Sequence, residues 1–78
     1  MTGARLHLTF PEHTLGEPIV WRLGHEFGLV TNIRRANVED LHGWVILEVD
    51  GSDDDLQRAL TWLSEQDVHV DRIDDEVP

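Results

Sequence analysis

Trp44-Val45-Ile46-Leu47-Glu48-Val49-Asp50-Gly51-Ser52-Asp53-Asp54-Asp55-Leu56 changes its apolar rhythm halfway along, and that change decides the fold. Val45, Leu47 and Val49 alternate with Trp44, Ile46 and Glu48, the period of two expected of a strand with one buried face. After Gly51 the period lengthens. Leu56, Ala59, Leu60 and Leu63 stand at i, i+3, i+4 and i+7, the stripe of an amphipathic helix facing a core. Ser52 is placed to cap that helix, and Asp53, Asp54 and Asp55 set negative charge against the positive end of its dipole. The helix is expected to stop near Gln66. Val68, Val70 and Ile73 then make a last short strand, and residues 74–78 an acidic tail.

Working toward the N-terminus, the same strand–helix–strand order appears once more. Arg5-Leu6-His7-Leu8-Thr9-Phe10 alternates strictly, with Leu6, Leu8 and Phe10 on the buried side. Pro11 closes this strand, and a polar loop follows through Gly16. Ile19, Val20, Leu23 and Phe27 take helical spacing over about residues 18–27, between Pro18 in the first turn and Gly28 as the stop. Leu29 to Val38 reads as a strand. Ile33, Ala36 and Val38 cannot share one face under strict alternation, which predicts a bulge near Arg34-Arg35. Residues 39–43 form the hairpin connection, with Gly43 available for a positive φ.

The result is an α+β, ferredoxin-like βαββαβ domain: two helices on one face of a four-stranded antiparallel sheet. Right-handed crossovers dictate the strand order 4-1-3-2. At 78 residues the chain is one domain, 1–78, with an ordered core of about 4–73. So short a chain has a thin core and often needs a staple. With no cysteine, disulfides, iron–sulfur clusters and thiolate zinc are excluded within it, which leaves histidine or carboxylate metal sites, or an oligomer, as staples.

Sixteen acids stand against six bases, all arginine, for a net charge of −10. That balance argues against nucleic acid and against anionic membrane surfaces, both of which need basic surface. The absence of lysine fits either a GC-rich genome or a high-salt habitat. No leader is expected, since Met1–Arg5 runs straight into the first strand. Apolar runs of four or five residues fall far short of the roughly 20 that span a bilayer. A cytoplasmic location is expected.

Strand parity singles out the sheet face away from the helices. It is expected to carry Arg5, His7 and Thr9, then Trp44, Ile46 and Glu48, with His69 and Asp71 beside them and one or both of Arg34 and Arg35. A Trp and an Ile on a polar face mark a surface for a second copy or for a ligand held between copies. His7, His69, Asp71 and Glu48 have metal-ligand chemistry but equally describe any acidic sheet face, and no metal is assigned. Asp50–Asp55 lacks the ligand spacing of a calcium loop, and a helix cap accounts for every residue in it. Trp21 and Trp62 flank the helical stripes and are expected to extend the core edges. Without cysteine or lysine, and with Ser and Thr in caps and strand faces, there is no nucleophile–base–orienter set, so catalysis is not expected.

Leu6-x-Leu8-x-Phe10, Pro18-Ile19, Asn32-Ile33, Ala36-x-Val38, Gly43, the third strand ending at Gly51, Ala59-Leu60-x-x-Leu63 and Val68-x-Val70 together resemble the NIL domain. This is the C-terminal regulatory domain of methionine-importer ATPase subunits, also found fused to ferredoxins. The naming motif Asn-Ile-Leu stands here as Asn32-Ile33-Arg34, with Arg35 next to it. The resemblance implies an ACT-like, often dimeric module that holds methionine and restrains transport. There is no Gly-x-x-x-x-Gly-Lys-Ser/Thr and no cysteine, so neither an ATPase nor a ferredoxin is part of this sequence, and a free-standing version is expected.

The sequence therefore predicts a non-catalytic regulatory or ligand-binding module without cofactor. Its expected occupant is a small sulfur-containing amino acid such as methionine, or a second copy in a homodimer. The alternative is a pure interaction subunit of a transporter or sulfur-metabolism protein. The residues assigned to the ligand-binding or dimer face are His7, Asn32, Arg34, Arg35, Trp44, Ile46 and His69.

Overall fold

The computed structural model describes residues 2–39 and 42–73, so the acidic tail expected at 74–78 lies outside the described residues. The elements run β1 (Thr2–Pro11), a 3-10 turn (Glu12–Thr14), α1 (Ile19–Phe27), β2 (Val30–Val38), β3 (His42–Gly51), α2 (Asp53–Glu65) and β4 (His69–Arg72). The sheet order is β2-β3-β1-β4, the 4-1-3-2 order expected, and every neighbouring pair is antiparallel.

Alternation works as expected in the central strands. Leu6, Leu8, Val45, Leu47 and Val49 are buried against Ile19 and Leu23 of α1 and Leu56, Ala59 and Leu63 of α2. Each such aliphatic side chain contributes roughly 1.5–3 kcal/mol by leaving water. Leu29 and Val68, just before β2 and β4, complete this core.

The helix ends follow local chemistry. In α1, Gly28 takes the left-handed conformation (φ 70°), and the Leu29 N–H reaches back to the Leu23 carbonyl, as in a Schellman stop. At the start of α2 the Ser52 hydroxyl accepts from the Asp55 N–H at 3.1 Å. Beyond α2, Asp67 takes φ 62° without being glycine.

Three details differ from the sequence reading. The loop after Pro11 is partly ordered as the 3-10 turn, where buried Thr14 donates its hydroxyl to the Pro11 carbonyl at 3.0 Å. Gly43 is not a positive-φ turn residue but lies within β3. A Cβ there would sit 3.0 Å from Leu15 Cδ2 and 3.2 Å from the Asn37 carbonyl oxygen, so the glycine serves close packing rather than turning. Trp62 extends the core edge as expected, packed on Phe27 at 5.3 Å, but Trp21 does not. It stands 61% exposed and stacks on His25.

Candidate functional site

The register fixes which side chains share the face away from the helices. Arg5 lies opposite Glu48, His7 opposite Ile46, and Thr9 opposite Trp44, while β4 places Asp71 beside His7 and His69 beside Thr9. On the other flank Asn32 lies opposite Glu48. The register then slips between Ile33 and Arg35, the bulge that the apolar spacing required, and the slip sets Arg35 opposite Ile46. Six of the seven assigned residues, His7, Asn32, Arg35, Trp44, Ile46 and His69, thus share this face. Arg34 occupies the bulge, near enough for its charge to act on Glu48.

The centre of the face is more closely packed than parity alone suggests. His7 stacks on Trp44 with ring centroids 5.5 Å apart and planes 19° apart, and the Thr9 hydroxyl lies 3.5 Å from His7 Nδ1. Trp44 and Ile46 are half-buried rather than open. Arg5 donates to Glu48 Oε2 at 2.6 Å. That bond, helped by the Arg34 charge, holds the Glu48 carboxyl below its ordinary range despite some desolvation. His69 Nε2 lies 3.4 Å from Asp71 Oδ1. Among the described residues, no group of three or more His, Asp and Glu converges as a metal site needs.

The arrangement offers three kinds of contact within a few strand spacings. Arg34 and Arg35 present guanidinium groups, Glu48 and Asp71 present carboxylates, and Trp44 with Ile46 presents apolar surface. A zwitterion with an apolar side chain needs those three contacts.

Sequence reasoning missed a second surface. The most exposed large apolar side chains include Trp21 (61%), Ile33 (55%) and Val38 (73%). Ile33 and Val38 lie opposite Leu47 and Gly43, on the helix side of β2, yet no helix covers them. A cleft of about 230 Å³ opens at Val38, lined also by Phe10, Leu15, Val20 and Trp21 among others. The signal was present in the sequence as apolar residues on the second strand, but only the helix positions show that they stay uncovered.

The NIL domain family model matches residues 4–72. The methionine import ATP-binding protein MetN of Chromohalobacter salexigens is 34% identical over 70 residues, covering 85% of this chain and 20% of that protein. The protein of the same name from Geobacillus kaustophilus is 28% identical over 78 residues, 95% of this chain and 23% of its own length. The chain thus spans about a fifth to a quarter of the length of these curated relatives. Among solved structures, the C-terminal domain of an ABC transporter ATP-binding protein from Enterococcus faecalis superposes with a TM-score of 0.79 at 19% identity. That superposition covers 96% of this chain and 88% of that one.

Proposed function

The chain belongs to the NIL domain family, and from that premise we propose that it is a non-catalytic regulatory module whose open sheet face holds an amino acid with an apolar or thioether side chain, methionine first among them. The observation that carries the reading is that Arg35, Glu48, Asp71 and half-buried Trp44 and Ile46 share one face, with Arg34 in the bulge beside it. The arginines answer a carboxylate, an acid answers an ammonium, and an indole is a favourable neighbour for a thioether sulfur. Asn32, beside Glu48, adds an amide that both donates and accepts. A face this flat buries little of a small molecule, so a second copy laid over it is the natural lid.

Calorimetry with methionine tests this. Wild-type protein is expected to bind at millimolar concentration or better, and Trp44→Ala to weaken binding by about tenfold. No heat with methionine, cysteine or related amino acids at millimolar concentration defeats the ligand assignment. Light scattering with and without ligand reports the second copy.

One observation favours a second reading, a protein-interaction subunit of an importer on the cytoplasmic side. Glu48, the carboxylate best placed for an ammonium, is already engaged by Arg5 at 2.6 Å. Under that reading methionine leaves the protein unchanged, while a purified importer ATPase subunit retains it and loses it on Trp44→Ala.

A further inference from the structure

β2 is an edge strand, paired to β3 on one side only. Eight of its nine residues are exposed, the exception being half-buried Thr31. An edge of this length presents unpaired backbone donors and acceptors, which usually must be guarded. The guards here are a bulge and two adjacent arginines, both recognised ways of discouraging edge pairing. Arginine discourages selectively. It repels a basic strand and attracts an acidic one.

The charge distribution sharpens that selectivity. Val30–Val38 contains no acid and two arginines, in a chain of net charge −10. Arg5, Arg22 and Arg58 are each tied to a carboxylate at 2.6–2.8 Å. Neither Arg34 nor Arg35 makes an ion pair among the described residues; the Arg34 charge acts on Glu48, whose hydrogen bond is already to Arg5. Two adjacent arginines of an acidic molecule therefore lie along an open edge of its sheet. A second copy of β2 set against this edge brings four guanidinium groups together, so self-pairing is opposed here.

The two sides of the edge differ in kind. Toward the helices it offers Ile33, Ala36 and Val38, continuous through Val38 with the cleft that Trp21, Phe10 and Leu15 line. Toward the open face it offers Asn32, Arg35 and Asn37. An added strand sends alternate side chains to these two sides. We propose that the free edge of β2 is a β-augmentation site for an extended segment of another protein that alternates acidic with apolar residues. Main-chain hydrogen bonds supply affinity, the apolar residues cover Ile33 and Val38, and the acids meet Arg34 and Arg35.

The probe is a labelled synthetic peptide of about seven residues, Glu-Val-Glu-Val-Glu-Thr-Glu, the length of an ordinary strand. Its controls carry lysine for every glutamate or proline for every valine. Anisotropy is expected to show salt-sensitive binding of the acidic peptide alone. Amide shift changes are expected along β2 and at Trp21, not along β4. The charge-reversed variant Arg34→Glu/Arg35→Glu is expected to bind the acidic peptide about tenfold less tightly and to gain the lysine peptide. If that variant does not fold, the milder Arg35→Gln takes its place and must still weaken the acidic peptide. Equal binding of acidic and lysine peptides, or shifts mapping to β4 or to the His7–Trp44 face, overturns the proposal. Trp44→Ala is expected to leave this binding intact, so the edge and the amino-acid site stand or fall separately.

Discussion

β2 and β3 are neighbours, nearly equal in length and both supplied with apolar residues, yet they live in different solvents. β3 alternates buried and half-buried positions from Gly43 to Val49, with Val45, Leu47 and Val49 under the helices. β2 carries Val30, Ile33, Ala36 and Val38, and all four are exposed. The two strands share a ladder, although β3 is paired on both sides and β2 is the sheet edge. What decides their exposure is cover: helix side chains bury Val45, Leu47 and Val49, while Ile33, Ala36 and Val38 on the same side of β2 stay exposed. Apolar patterning in a strand states a preference; a layer above must exist to satisfy it.

The sharpest way to break this comparison is to truncate matched side chains. Leu47 and Ile33 sit opposite each other in the ladder, one fully buried and the other 55% exposed. Leu47→Ala is expected to lower unfolding free energy by about 3 kcal/mol, since the cavity cannot collapse in a thin core. Ile33→Ala is expected to change it by under about 0.5 kcal/mol in the same denaturant titration. Equal losses would mean that β2 is covered in solution.

A smaller effect is expected where the two strands meet. Gly43→Ala places a methyl 3.0 Å from Leu15 Cδ2 and 3.2 Å from the Asn37 carbonyl. The leucine can shift but the β2 backbone cannot shift cheaply, so a loss of about 1–2 kcal/mol is expected. Amide exchange in the variant is expected to rise at Asn37 and Val38 before it rises in β1.

The smallest effect concerns the open face of β3. Arg5 holds the Glu48 carboxyl below its ordinary value of 4.5. Because the folded value is depressed, the stabilisation is present above the unfolded value and is lost as pH falls through the folded one. Carbon-detected titration of Glu48 is expected to show a low midpoint that rises toward 4.5 in Arg5→Ala. An unchanged midpoint would remove Arg5 as the cause.

Much of the candidate face was legible because side chains alternate along any extended strand. His7, Trp44, Ile46 and His69 were placed on one face by counting alone, and antiparallel pairing then brought their strands together. The bulge was legible too, because Ile33, Ala36 and Val38 were incompatible with strict alternation. Contacts were not legible. Nothing in the sequence says that His7 stacks on Trp44 or that Arg5 rather than Arg34 takes Glu48. Each is a competition among neighbours distant in the chain, and distances decide it.

The sequence by itself therefore determined the element order, the strand order and the buried stripe, since periodicity, caps and spacing are local and additive along the chain. Only the tertiary structure decided which apolar residues stay in water. Coverage depends on where a helix lies above the sheet, and helix placement is settled by the whole core at once. For that reason the open face was anticipated, while the bare edge of β2 was not.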